Sequence, residues 1–248
     1  MNRILKIFQT PQELAEAFAI EMVNIINEAW KKKDPLTIAL SGGSTPKLLF
    51  AVLAKKYSKS VDWSYVHIFW SDERCVQPVD PESNYGMARK ILLDKIKIPE
   101  KNIHRIRGEE DPDIEASRYS EEIIANTRSK NKIPLFDLII LGMGEDGHFA
   151  SIFPGNLKLL CSKKICEVAA HPVSGQKRIT ITGKVINNAD KIFFLVTGKS
   201  KAPVIEQIFK KEAIFENFPA AYIIPERGEA TWFLDKKAAK LIDRTSNC

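Results

Sequence analysis

The sequence lacks the features that would place it in a membrane or outside the cell. Its 248 residues include no uncharged apolar run near the roughly 18 residues that span a bilayer. The first ten residues, MNRILKIFQT, lack the long apolar segment of a secretory signal peptide. We therefore expect a cytoplasmic protein that has no contact with a membrane.

Motifs for binding nucleic acid or metal are also missing. No RNP motif, zinc finger or basic region with heptads occurs, and the 37 lysines and arginines are scattered along the chain. The four histidines have no metal-ligand spacing that would join His148 to the other histidines or to the cysteines. The formal net charge of +6 is compatible with solvated surface lysines and with a small phosphorylated ligand. We expect neither nucleic acid nor metal as a partner.

Cysteine is scarce and follows no pattern. The chain has Cys75, Cys161, Cys166 and Cys248, whose spacing forms neither a C-x-x-C pair nor a disulfide framework. Reduced thiols in a cytosolic protein are therefore expected. Cys75 lies close to a charged loop described below, but nothing in the sequence indicates an activated thiolate.

Linkers rich in proline, glycine or serine are absent, as are repeats and low-complexity tracts, so we expect one domain over residues 1–248. Strand-like and helix-like patterns alternate, which is typical of βα crossovers. The alternation predicts an α/β fold with one Rossmann-like, doubly wound, mostly parallel sheet and helices on both faces. The predicted strands are 4–8, 36–40, 66–70, 136–141, 165–169, 178–182, 191–196, 221–224 and 231–234. The predicted helices are 11–32, one that follows the segment 41–46 and runs through Lys56, 85–95, 114–129, 185–188, 201–209 and 236–241.

The first candidate site is the segment SGGSTP at 41–46, between a predicted strand and a predicted helix. Gly43 allows close backbone approach, Ser44 and Thr45 supply hydroxyls, and the N–H groups of the helix start attract anions. The segment is not a Walker A loop, because no G-K-[ST] follows at the required distance. A phosphate cradle and a plain glycine-rich turn capped by serine or threonine both fit this pattern.

A second candidate is the charged loop Ser71–Arg74, which follows the strand predicted at 66–70. Asp72 and Glu73 would serve as general acid or base groups, and Arg74 would clamp a phosphate. A surface ion pair in a loop is the alternative interpretation of the same residues. Ser83-Asn84-Tyr85 nearby looks like a helix start, where Ser83 or Asn84 would be the cap.

The third candidate is the turn GMGEDGH at 142–148, which follows an apolar run that suits a strand buried on both faces. The turn matches G-x-G-x-x-G, but Pro154 interrupts too early for the crossover helix that a dinucleotide site needs. His148 has the chemistry of a general base, and Asp146 is placed to orient it. A structural histidine is the alternative. The chain has no G-x-S-x-G elbow, which disfavours a serine hydrolase.

In this order, the three loops resemble the 6-phosphogluconolactonase family. The resemblance rests on SGGSTP (41–46), FWSDERCV (69–76), SNYGMA (83–88) and LGMGEDGHFASIFP (141–154), and it continues through KRITIT (177–182) and VTGKSKA (196–202). Glucosamine-6-phosphate deaminases share the fold, but they look like MDEY where this chain has SDER. They also carry a glutamate where this chain has Phe153. A further departure is Phe149, where the lactonases usually have threonine.

The resemblance implies hydrolysis of 6-phospho-D-glucono-1,5-lactone to 6-phospho-D-gluconate, for which no cofactor is needed. We expect a monomer. His148 would be the general base for attack by water, and Asp146 would position it. Substrate and phosphate binding would fall to Gly43, Ser44, Thr45, Asp72, Arg74, Arg178 and Lys201. The alternatives are a deaminase or isomerase of the same fold and a non-catalytic sugar-phosphate-sensing domain.

Overall fold

The computed structural model describes residues 3–210, 217–225 and 228–242. Its strands are β1 (Arg3–Phe8), β2 (Leu36–Leu40), β3 (Val66–Trp70), β4 (Asp72–Arg74), β5 (Arg128–Lys130), β6 (Ile133–Leu135), β7 (Leu138–Leu141), β8 (Cys166–Ala170), β9 (Lys177–Ile181), β10 (Lys191–Val196) and β11 (Glu229–Asp235). Its helices are α1 (Pro11–Lys32), α2 (Ser44–Lys56), α3 (Asn84–Ile91), α4 (Pro112–Asn126), α5 (Gly183–Asn187) and α6 (Ala202–Lys210).

The central sheet has six parallel strands in the order β1-β11-β10-β7-β2-β3. Strands β2 and β7 are buried along their whole length, as expected where helices cover both faces. This arrangement confirms the predicted α/β class with a mostly parallel sheet. Among the described residues, no helix is long and apolar enough to cross a membrane.

The order of the strands marks the place where a ligand would bind. From β2 the chain moves outward to β3, whereas from β7 it moves to β10 and β11 on the other side. The neighbours β2 and β7 therefore form a switch point, outside whose carboxyl ends open α/β sheets bind their ligands. The two glycine-containing loops, which follow β2 and β7, both begin at this position.

The helix starts follow from local chemistry. Thr10 caps α1, since its hydroxyl accepts a hydrogen bond from the backbone N–H of Glu13 at 3.1 Å, and Pro11 occupies the first turn. The helix ends at Lys33, which has a left-handed backbone (φ 57°) and donates to two carbonyls of the last turn. The apolar face that the sequence predicted, which includes Phe18 and Met22, is buried.

A second, antiparallel sheet in the order β4-β9-β8 was not predicted. The sequence located β8 and β9 within one residue, but it did not reveal that they pair with the charged loop rather than with the parallel sheet. This pairing makes a strand of Asp72–Arg74 and sets Arg74 directly opposite Arg178. The short antiparallel pair β5-β6 was also not predicted.

Several of the predicted elements were wrong or incomplete. The helix predicted at 114–129 ends at Asn126, and Arg128 and Ser129 belong to strand β5 instead. The strand predicted at 221–224 is largely replaced by a 3₁₀ helix, Pro219–Tyr222, which Ala220 fixes by donating its N–H to the Gly147 carbonyl at 3.0 Å. The helix predicted at 236–241 is a series of turns, which begins where Asp235 accepts the N–H of Ala238. The helix predicted at 85–95 ends at Ile91, and a short 3₁₀ helix follows it.

The thiols of Cys75, Cys161 and Cys166 are free, and Cys248 lies outside the described residues. Burial raises the pKa of the Cys75 thiol to about 11. A thiol with that pKa is protonated at neutral pH, so Cys75 is not an activated nucleophile.

Candidate active site

A cleft of about 260 Å³ opens where β2 and β7 end. The loops that follow β2, β7 and β10 line it, together with residues of strands β4 and β9. Among its lining residues are all but one of the predicted site residues: Gly43, Ser44, Thr45, Asp72, Arg74, His148, Arg178 and Lys201. The exception, Asp146, hydrogen-bonds to His148. Residues separated by more than 150 positions in the sequence thus meet at one edge of the sheet.

The imidazole and the carboxylate of the GMGEDGH turn form a tight pair. The Nδ1 atom of His148 lies 2.6 Å from Asp146 Oδ1, and because a carboxylate only accepts, Nδ1 carries the proton. The same oxygen accepts the backbone N–H of His148 at 3.1 Å. This arrangement leaves Nε2 without a proton in the neutral ring, as a general base requires.

The environment of Asp146 favours its ionised form. Burial opposes ionisation, but the hydrogen bond and the charge of His148 outweigh it, so the pKa of Asp146 is lowered from its ordinary value. The turn tolerates no side chain at Gly144, where a Cβ atom would come within 2.1 Å of His148 Nδ1 and 2.5 Å of Asp146 Oδ1. The glycine therefore gives the imidazole and the carboxylate the space to pair.

The SGGSTP loop forms an open helix start. Gly43 is the N-cap of α2, has φ +106° and makes no side-chain capping bond. The interpretation of this loop as a turn capped by serine or threonine is therefore wrong. The first N–H groups of a helix have no partner within the helix, and here Ser44 and Thr45 start a 13-residue helix at the cleft. The loop has the geometry of an anion cradle.

Arg74 and Arg178 supply the positive charge of the cleft. They stand directly opposite each other on β4 and β9, where like charges destabilise an antiparallel pair. The Nε atoms of both are buried, with no hydrogen-bond partner among the described residues. Burial, and after it the charge of Arg74, lowers the pKa of Arg178. An anion bound between them would relieve both penalties.

The two acids of the charged loop have different roles. Glu73 is buried, and its carboxylate accepts the backbone N–H groups of Asn84 and Tyr85, both at 2.7 Å, so it holds the start of α3. Its interpretation as a general acid or base is therefore wrong. Asp72 lines the cleft, accepts the hydroxyl of Ser151 at 2.7 Å and is also buried. The alternative of a surface ion pair is wrong for both acids.

Lys201 closes the cleft from the far side, just before α6. Its Nζ atom lies 3.8 Å from Glu145 Oε1, a residue of the same turn that carries His148. Burial lowers the pKa of Lys201, and the charges of Glu145 and Asp146 oppose that shift. The lysine links the anion-binding side of the cleft to the turn that holds the imidazole.

Thr197 and Asn84 line the cleft but were not predicted as site residues. Thr197 follows β10 at the carboxyl edge, and its hydroxyl lies 2.9 Å from that of Thr45. Its position after a buried parallel strand was the signal that would have found it. Of the two candidate helix caps, Ser83 is the N-cap of α3, whereas the amide of Asn84 donates to the Asp72 carbonyl at 2.9 Å and borders the cleft. No sequence pattern distinguishes these two roles.

The fold and the cleft agree with a family of α/β proteins. The model of the family described as glucosamine-6-phosphate isomerases/6-phosphogluconolactonase matches residues 9–232. The chain belongs to this family, so the resemblance found in the sequence is confirmed.

Individual relatives place the chain among the lactonases of the family. A 6-phosphogluconolactonase of Haemophilus influenzae is 45% identical over 238 residues, which are 95% of this chain and 98% of the relative. A solved structure of the devB protein is 42% identical, with a TM-score of 0.92 and coverage of 97% of this chain and 100% of that one. The 6-phosphogluconolactonase of Trypanosoma cruzi is 29% identical, with a TM-score of 0.85 and coverage of 100% and 98%.

Proposed function

We propose that this chain hydrolyses 6-phospho-D-glucono-1,5-lactone to 6-phospho-D-gluconate, with His148 as the general base. One observation carries the proposal: the imidazole–carboxylate pair opens into the same cleft as two arginines and a lysine. A base and an anion site a short distance apart suit an ester that carries a phosphate. The names of the relatives at 39–45% identity support the same substrate.

The imidazole would act in two steps. Nε2 of His148 removes a proton from water as the water oxygen attacks the lactone carbonyl, which forms a tetrahedral oxyanion. When that intermediate collapses, the ring C–O bond breaks and the imidazolium returns the proton to the departing ring oxygen. Asp146 holds the ring through Nδ1 and stabilises the imidazolium between the steps. Since a δ-lactone is already reactive, a general-base factor of roughly a hundredfold to ten-thousandfold suffices.

The phosphate would lie at the other end of the cleft. Arg74, Arg178 and Lys201 supply positive charge there. Ser44 and Thr45 begin helix α2 in the same cleft, so their backbone N–H groups would also bind the phosphate. Asp72, an anion beside these cations, would accept hydrogen bonds from sugar hydroxyls. Removing its charge should therefore weaken sugar binding rather than phosphate binding.

A coupled assay with freshly generated lactone tests the proposal. The lactone is formed from glucose 6-phosphate by a dehydrogenase, and an excess of a second dehydrogenase reports 6-phosphogluconate as it appears. We expect the rate to exceed spontaneous hydrolysis in proportion to the amount of protein. A rate equal to the spontaneous rate would refute the proposal.

Two further assays separate the alternatives. Glucosamine 6-phosphate should release no ammonia, since Phe153 stands where the deaminases carry a glutamate. Specific DNA binding without lactone hydrolysis would instead support a sensing domain. The monomeric state and the cytoplasmic location stay predictions, which light scattering of the purified protein and cell fractionation would test.

A further inference from the structure

One aromatic ring contacts both halves of the candidate active site. The Phe153 ring lies with its centroid 4.8 Å from that of the His148 imidazole, at an interplanar angle of 46°. The guanidinium carbon of Arg178 lies over the same ring, 5.7 Å from its centroid. A third neighbour, His171, meets the ring edge-to-face at 5.3 Å. Phe153 is therefore in contact with the proposed base and with a proposed anion ligand at once.

The ring itself is held firmly. Phe153 is 2% exposed, and it immediately precedes the 3₁₀ helix Pro154–Leu160. Its carbonyl accepts the N–H of Asn156 at 2.8 Å, which fixes the backbone at the point where the side chain leaves it. A buried ring on a fixed backbone gives a rigid wall to whatever packs against it.

The chemistry of the ring matters as much as its shape. A phenyl ring attracts a guanidinium through its face, but it cannot accept a strong hydrogen bond or neutralise the charge. The Nε atom of Arg178 has no hydrogen-bond partner among the described residues, so the arginine keeps its capacity to bind an anion. A carboxylate in place of the ring would form an ion pair with it and remove that capacity.

We propose that Phe153 is a positioning residue that sets the orientation of the His148 imidazole and supports the Arg178 guanidinium without neutralising it. The inference rests on the proposed function and deepens it. In this proposal, one apolar side chain contacts both the general base and an anion ligand, and it forms no bond with the substrate itself.

The test compares three variants of the full chain. Phe153→Leu removes the ring, and Phe153→Tyr keeps it. The control, Phe193→Leu, also replaces a buried phenyl ring by leucine, but this ring belongs to β10 and packs on Phe18 and Phe233 away from the cleft. For each variant, kcat and KM for fresh lactone and the affinity for inorganic phosphate are measured, with thermal unfolding as a check on folding.

We expect Phe153→Leu to lower kcat about tenfold to a hundredfold, because small misplacements of a catalytic group are costly, and to weaken phosphate binding severalfold. Phe153→Tyr should retain both properties within about threefold, and Phe193→Leu should lower the unfolding temperature but keep kcat within about twofold. Unchanged kcat in Phe153→Leu, or an equal loss in Phe153→Tyr, would overturn the inference.

Two safeguards keep the test decisive. If Phe153→Tyr does not fold, a double-mutant cycle of Phe153→Leu with Arg178→Gln replaces it, and strictly additive losses of phosphate affinity would overturn the inference. If the wild-type protein fails to hydrolyse the lactone, the proposed function fails. The phosphate affinities of Phe153→Leu and Phe153→Tyr then decide the role of Phe153 by themselves.

Discussion

The two edges of the parallel sheet carry cavities that differ in how their charges are satisfied. The cavity at the amino edge is the larger, about 910 Å³ against about 260 Å³. Its Arg128 forms ion pairs with both Asp137 and Asp190, and the Asp137 carboxylate also accepts the N–H and hydroxyl of Thr37 at 2.8 and 2.7 Å. The positive charge of Arg128 is thus paired within the protein.

The smaller cavity at the carboxyl edge has the opposite character. Arg74 and Arg178 face each other across an antiparallel pair, and each has a buried Nε atom without a partner among the described residues. Such an arrangement costs folding free energy unless a ligand compensates it. Arginines without a compensating partner, rather than cavity volume, therefore distinguish the candidate active site. Substitutions at the carboxyl edge should change kcat or KM, whereas a substitution at the amino edge should change only the free energy of unfolding.

The largest expected effect at the carboxyl edge comes from His148→Ala. Removing the base should lower the kcat for fresh lactone by at least roughly a hundredfold, while binding of 6-phosphogluconate changes little. Steady-state kinetics corrected for spontaneous hydrolysis measure the first quantity, and calorimetry measures the second. An unchanged kcat would remove His148 from the mechanism.

Asp146→Asn should have a smaller effect on the same step. An amide does not force the Nδ1 proton on His148, so we expect kcat to fall roughly tenfold to a hundredfold. Because the folded-state pKa of Asp146 lies below its ordinary value, its stabilising effect is present above the ordinary pKa of aspartate and is lost as the pH falls through the lowered value. In the Asp146→Asn variant, this part of the decrease in unfolding temperature at low pH should be absent. If its unfolding temperature follows pH as the wild type does, the carboxylate has no such effect.

Arg74→Ala tests the anion side of the comparison. We expect mainly a rise in KM, on the order of tenfold, because the loss of a phosphate ligand weakens ground state and transition state alike. Adding inorganic phosphate should inhibit the wild type more strongly than the variant. A loss confined to kcat would instead assign Arg74 to the reacting carbonyl.

Much of this organisation was predictable from the sequence because it depends on local pattern. The buried strands, the first capped helix and the strand-end positions of Asp146 and His148 follow from apolar runs and capping residues. Each of the three loops follows a predicted strand, and parallel strands bring their carboxyl ends to one edge of a sheet. The family resemblance added Arg178 and Lys201, which no local pattern singles out.

The remaining features depend on contacts between distant segments. The β4–β9 pairing joins Arg74 to Arg178 across about a hundred residues, and no periodicity reports it. The role of Glu73 was mistaken for the same reason, since a carboxylate that caps a helix from eleven residues away resembles a catalytic acid in sequence. The contacts of Phe153 with His148 and Arg178 also become visible only in three dimensions.

The smallest expected effect comes from the amino edge and completes the comparison. Arg128 has a side chain that is 58% exposed, and solvent screens its two ion pairs, so Arg128→Ala should lower the free energy of unfolding by only about 0.5–1 kcal/mol. Denaturant unfolding measures this change. The kcat and KM for lactone should stay within about twofold of wild type, because Asp137 and Asp190 lie at the opposite edge from the cleft. A rise in KM like that of Arg74→Ala would mean that satisfied charges, too, bind the substrate, and the distinction between the two edges would fail.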